Sequence, residues 1–264
     1  MKIIKIEKVE DLIFQLNSLP NHFIYRGHAD SSWKLESTIE RTLGHKWATH
    51  TASKFEKYSI DKFKSKYHIY KQSEHIPSSK LSWLSVMQHY GVPTRLLDFT
   101  ESPYIALYFA LEAYDPGGGH DLGVFAIDYS AVMQSSVEFI RKQDSKFIET
   151  TQSINGKQDE VFEGTVDRFS YNILWVTEPN ELNARIDRQS GTFLISGNTD
   201  KKIEELISSE TYKNVQFIKY EISSKLYESL FALLRKMSIN SKTIYGDLAG
   251  LAGSIKMEMQ VYSI

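Results

Sequence analysis

Between Gln88 and Ala110 the chain sets Gln, His, Arg, Asp and two Thr into a segment otherwise composed for burial. It reads Gln88-His89-Tyr-Gly-Val-Pro-Thr94-Arg95-Leu-Leu-Asp98-Phe-Thr100, then Glu101-Ser102-Pro103 and the apolar run Tyr104 to Ala110. Polar side chains crowded between a strand-like run and a helix cost stability unless something pairs with them. The segment is therefore the first site candidate. It also punctuates the local structure. Ser78-Ser79 can cap a helix from about Lys80 to Tyr90 that Gly91 ends, Leu96 to Phe99 reads as a short buried strand, and Ser102-Pro103 fits an N-cap and first helical position for a helix to about Ala113.

Elsewhere, apolar spacing alternates between the two regular periods. Met1 to Glu7 reads as an edge strand, residues 9–19 as a helix stopped by Pro20, and His22 to Tyr25 as a strand ending at Arg26-Gly27. Residues 49–70 predict an amphipathic helix with aromatic residues among lysines. Asp115 to His120 is a turn, Gly123 to Asp128 a buried strand and 129–141 a helix. The polar stretch Ser145 to Thr165 is expected to be a mobile loop. Strands at 172–177, 192–196 and 214–222, and helices at 200–209, 224–237 and about 246–260, complete the reading. Without an internal repeat or a dividing linker, residues 1–264 are expected to form a single α+β domain with helical insertions.

Composition narrows the chemistry. None of the 264 residues is Cys, which removes disulfides, thiolate zinc sites and a Cys nucleophile. A net charge of −2 argues against nucleic-acid binding through bulk electrostatics, although the lysines from Lys54 to Lys71 could form a local basic face; a solvated face is the plainer reading. The eight His show no HExxH or paired spacing, and carboxylates in the motif-bearing segments are sparse, so no metal is expected. There is no Walker loop, no GxGxxG after a strand and no GxSxG elbow. No apolar run approaches the ~20 residues of a membrane span, and no signal-peptide core opens the chain, so a cytoplasmic protein without membrane partners is expected.

Three blocks resemble the FRG domain family, named for a Phe-Arg-Gly-type motif. Tyr25-Arg26-Gly27 stands for the first, with Tyr in place of Phe. The Gln88 to Thr100 segment, with Ser102-Pro103 and Ala106 to Ala110, resembles the second, and Asn183-Ala-Arg185-Ile-Asp-Arg188-Gln189-Ser-Gly191-Thr-Phe193 the third. Late in the chain, Tyr245-Gly246-Asp247-Leu248-Ala249-Gly250-Leu251 is similar to a Pro-Asp-Leu-Asp-Gly-Leu pattern, with Gly246 for Pro and Ala249 for Asp. The resemblance spans roughly residues 22 to 255.

What it implies goes through a second likeness. A strand ending in Arg-Gly, a strand ending in Thr-x-Ser and then a helix rich in Ala and aromatics look like the split NAD-binding core of ADP-ribosyltransferases. That implies a split, mixed or antiparallel sheet flanked by helices and NAD as substrate. Arg26, Gly27, Gln88, His89, Arg95, Thr100 and Ser102 would hold the dinucleotide, and Tyr104 or Tyr108 could stack on nicotinamide. Transfer of ADP-ribose calls for a carboxylate beside the ribose. The 183–193 block offers Arg185 and Gln189 where that Glu often lies, so Asp98 and Asp247 lead, ahead of Glu181 and Asp187. Arg26, Asp98, Gln189 and Asp247 are thus the catalytic candidates. Relatives occur in bacterial toxin–antitoxin and anti-phage settings, which implies a nucleic-acid or protein acceptor and an antitoxin or regulatory partner.

Each residue also has a structural reading. Arg26 can pair with Asp98 or Asp247, Ser102 can be only an N-cap, His89 a structural histidine, Thr94 and Arg95 the closure of a turn, and Gln189 the cap of a hairpin. On that side stands the alternative function, a non-catalytic sensor that grips a nucleotide or partner in the same pocket.

Overall fold

The computed structural model describes residues 1–46, 48–71, 76–181, 184–198 and 200–262. The N-terminal half carries β1 (Lys2–Ile6), α1 (Val9–Asn17), β2 (Phe23–His28), α2 (Thr38–Leu43), α3 (Thr49–Tyr70), α4 (Lys80–His89), β3 (Leu97–Thr100) and α5 (Pro103–Glu112), close to its spacing except for α2, which the spacing does not announce. The caps act as expected. The Ser79 hydroxyl accepts from the Ser82 amide at 3.0 Å, and that of Ser102 from the Ile105 amide at 3.3 Å. The chain continues through β4 (Leu122–Asp128), α6 (Tyr129–Gln143), α7 (Gln158–Gly164), β5 (Leu174–Thr177), α8 (Ala184–Arg188), β6 (Gly191–Ser196) and α9 (Ile203–Ile207). It closes with β7 (Phe217–Ile222), α10 (Tyr227–Lys236), α11 (Ser241–Tyr245) and α12 (Leu248–Tyr262).

Two expectations need correction. The polar stretch 145–165 contains α7 and buries Ile154, Val161 and Phe162 against the core, so it is packed structure. Its few apolar residues are too widely spaced for a periodic signal. The last expected helix is α12; ahead of it stands a short helix the spacing does not announce, α11, which Gly246 ends in the left-handed conformation at φ +69°. The 183–193 block holds a helix, α8, and not only a hairpin end; its first residue, Asn183, lies outside the described residues.

The strands form one mixed sheet in the order β1-β7-β4-β2-β3-β6-β5, in which only the β1–β7 pair is parallel among the described residues. The seven strands form one sheet and not the split one expected, but its middle is thinly paired. β2 pairs with β4 from Phe23↔Asp128 to His28↔Gly123, and β3 with β6 from Leu97↔Leu194 to Thr100↔Gly191. Between them, β2 and β3 share the single register pair Tyr25↔Thr100. Two well-paired half-sheets are thus hinged at one residue pair and part beyond it, leaving strand edges that need other partners.

The two faces are buried by different helices. Tyr25, Val124, Ala126 and Tyr220 pack under α5 and α10, while Ile24, Leu97, Phe99, Phe125 and Leu194 pack under α6 and α9. α5 is apolar on nearly all sides, as a helix inside a core must be. It lies so close to β2 that a Cβ on Gly27 would stand 1.8 Å from the Ala106 carbonyl oxygen. No helix among the described residues is long and apolar enough to cross a membrane.

Candidate functional site

Where β2 and β3 part, a cleft of about 300 Å³ opens between the sheet, α4, the end of α5, α8 and α11. Arg26 stands at its head. Its Nη1 donates to the Asp98 carbonyl oxygen at 2.7 Å, so the guanidinium closes a backbone edge that the diverging strand leaves unpaired. Its Nε donates to His28 Nε2 at 2.9 Å, and the Asp98 carboxylate lies 4.0 Å from Nη1, in the long-range limit of an ion pair. Burial pulls the Arg26 pKa down and Asp98 pulls it back up; the group stays a cation. Burial, reinforced by the Arg26 charge, pushes His28 down to about 3, which keeps the imidazole neutral and able to accept from Arg26.

The Gln88 amide is spent on the protein. Its Nε2 donates to the Leu96 carbonyl at 3.1 Å and to Asp98 Oδ2 at 2.9 Å, and its Oε1 accepts from the Thr94 hydroxyl. Gln88 thereby fixes the turn and aims the Asp98 carboxylate. The Thr100 hydroxyl donates to the Gln189 carbonyl at 2.6 Å and accepts from the Ser102 amide at 3.1 Å. On the opposite wall, the Gln189 side-chain nitrogen is buried without a hydrogen-bond partner, a donor left over at the cleft. His89 and Arg185 line it as well.

The carboxylate absent from the 183–193 block comes from α5. Glu112 lines the cleft, with Tyr108 Oη donating to one carboxylate oxygen at 2.7 Å and Tyr245 Oη to the other at 2.6 Å. Burial raises both phenols' pKa, so both stay protonated donors and hold the Glu112 side chain in one pose. The Arg185 guanidinium lies 4.8 Å from the Tyr245 ring centroid. Sequence reasoning passed over Glu112 because it ends an apolar helix. The available signal was electrostatic: an acid in a last turn opposes the helix dipole and needs a reason to be there.

The structure thus brings Arg26, Gly27, Gln88, His89, Asp98, Thr100 and Gln189 to one cleft. Five other candidates fall elsewhere. Arg95 is buried away from it, 3.0 Å from Glu56 Oε2 and hydrogen-bonded to Asp167, with Phe162 and Phe169 against its guanidinium. Ser102 caps α5. Asp247 accepts from the Gly250 amide at 2.7 Å in the first turn of α12 and borders a neighbouring cavity. Tyr108 is buried with its hydroxyl on Glu112 and Ser241, and Tyr104 bonds Asn17, so neither ring lines the cleft as a stacking surface. Gly27 does border it, yet the close approach that requires a glycine there is that of α5.

Among the described residues, no group of three or more His, Asp or Glu could hold a metal ion. No curated protein and no solved structure matches the chain. The stretch that supplies Arg26, Gln88, His89, Asp98, Thr100 and Glu112 does match a family model, and an FRG domain is identified over residues 21–117.

Proposed function

We propose that the cleft binds the nicotinamide–ribose end of NAD and that the reaction is transfer of ADP-ribose to an acceptor, a nucleic acid or a protein. The observation that carries this is Glu112. It is a carboxylate pinned by two phenols in a cleft headed by a partly buried arginine, where β2 and β3 part. A volume of about 300 Å³ suits one ribose and its base, with the diphosphate at the mouth near Arg26. In the reaction the C1′–N bond breaks, nicotinamide leaves neutral with the bonding pair, and the acceptor atom bonds C1′ and gives up its proton. Positive charge builds on the ribose in the transition state, and the Glu112 carboxylate stabilises it. Asp98, held by Gln88, faces the same space. The toxin or anti-phage setting implied by resemblance supplies a regulatory partner but adds no atoms to the site.

The test is nicotinamide release from NAD in the presence of total cellular nucleic acid or protein. Turnover should fall at least ~100-fold in Glu112→Gln, with the unfolding midpoint little changed. Absence of release with every acceptor removes the enzyme. One observation favours the second reading, a binding module without turnover: the Gln88 amide and the Thr100 hydroxyl are already committed to the protein. Calorimetric binding of NAD or ADP-ribose without nicotinamide release would select it.

A further inference from the structure

A second concavity, about 560 Å³, runs along α3, walled by Tyr58, Phe63, Tyr70 and Tyr90 and rimmed by Lys62 and Lys66. Its described lining contains three lysines and no carboxylate, on a chain whose net charge is −2. The outward face of α3 repeats the pattern: Lys54, Lys57, Lys62, Lys64 and Lys66 are exposed there against the single exposed acid Asp61. The other acid of α3, Glu56, is turned inward to Lys80 and Arg95. The aromatic rings are also presented to solvent, Tyr58 61%, Tyr70 81% and Tyr90 50% exposed, which a solvated helix face does not require.

We propose that this groove binds a single-stranded nucleic acid, its bases stacked on the tyrosines and its phosphates on the lysine rim. Rings spaced among cations along one groove are what a strand with exposed π-faces and one charge per nucleotide fits, and a duplex, with its bases already stacked, cannot use the rings. From Tyr58 to Tyr70 the helix runs ~18 Å, the length of about five stacked nucleotides. A membrane surface would also accept aromatics and lysines. Two features favour the strand: the surface is concave, and it leads somewhere. Tyr67, Lys71 and Tyr90 line both this groove and the neighbouring cavity, which shares His89, Arg185 and Tyr245 with the cleft. A bound strand is therefore directed toward the cleft. The proposal stands without the NAD reading, because binding is read with no NAD present.

The experiment is fluorescence anisotropy with the full chain and a labelled ten-nucleotide single strand of mixed sequence, against the same sequence as a duplex and against anionic phospholipid vesicles. Single-strand binding should weaken roughly 20-fold between 50 and 200 mM salt, the release of about three counterions. Tyr70→Ala should weaken it by about 5-fold or more at constant salt, and Lys62→Glu with Lys66→Glu should cut the salt dependence to that of about one counterion or less. All three side chains are exposed, so the fold survives the changes, as circular dichroism will report. Equal affinity for duplex, binding unchanged in both variants, or binding to vesicles alone would each overturn the proposal.

Discussion

Arg95 and Arg26 are both arginines drawn out of water, and the chain completes them in opposite ways. Arg95 sits with Lys80 between the carboxylates of Glu56 and Asp167, two cations against two anions, at 6% exposure and with two phenylalanine rings against its guanidinium. This cluster ties α3, α4 and the turn after α7 together. Arg26 has a backbone carbonyl, a neutral imidazole and a carboxylate only at 4.0 Å, and that carboxylate is largely exposed. A buried charge balanced by carboxylates at contact distance acts as a clamp. One whose carboxylate partner stands at 4.0 Å and is largely exposed to solvent retains attraction for an anionic ligand. The difference separates framework from cleft within a single family-like stretch.

The largest effect should come from breaking the clamp. Arg95→Ala leaves Glu56 buried at 4% exposure with Lys80 as its remaining cation, and should cost about 3–5 kcal/mol in denaturant unfolding. Adding Glu56→Gln should return part of it. A loss below about 1 kcal/mol would mean that Arg95 is not the clamp and would dissolve the contrast with Arg26. Next comes Gly27→Ala. The new methyl would meet the backbone of Ala106 and Ala110, which cannot swing aside as a side chain would, so a loss of about 3 kcal/mol is expected. A normal melting temperature would show that α5 is free to shift, and with it Glu112.

The pH dependence of stability sharpens the comparison from the Arg26 side. His28 titrates near 6.5 when unfolded and at about 3 when folded, so between those values the unfolded chain binds the extra proton. Its contribution is complete above pH 6.5 and is lost progressively as pH falls toward 3, at up to about 1.4 kcal/mol per pH unit. His28→Gln, which keeps an acceptor for Arg26 but no titration, should flatten the decline between pH 6.5 and 5 by about 1–2 kcal/mol. An unaltered acid limb would place the imidazole in contact with water.

Most of this fold is legible in the order of residues, because its signals are local. Ser79, Ser102 and Pro103 announce helices that start where they say, and the two spacings distinguish α3 from β4. The cleft is legible where strand alternation applies: Leu97 and Phe99 go to the core, Asp98 and Thr100 to the site. Arg95 escapes that rule because it precedes β3, in a turn where period no longer assigns a face. Its partners, Glu56 and Asp167, are brought to it by helices distant in the chain. Tyr245 and Glu112 meet across 133 positions, and no spacing encodes such a contact. Local chemistry writes elements and caps; the joining of halves at one strand pair is decided by packing.

The smallest change in stability, and the most informative, is expected for Arg26→Ala. The Asp98 carbonyl and His28 Nε2 each lose a donor, but the first faces a cleft that water can enter, so the cost should be about 1 kcal/mol. The same substitution removes a cation that holds the His28 pKa down. Burial, the larger cause, remains, so the folded imidazole should titrate higher than in the parent and still below 6.5. The acid decline between pH 6.5 and 3 should therefore be shallower in Arg26→Ala. NAD affinity by calorimetry should fall at least ~10-fold, as for one charge-assisted contact to a phosphate. Arg26→Lys restores charge but not the two-directional fork, so it should restore the His28 titration and not the affinity. If Arg26→Ala instead unfolds the chain as readily as Arg95→Ala does, Arg26 is a second clamp and the cleft has no free cation at its head.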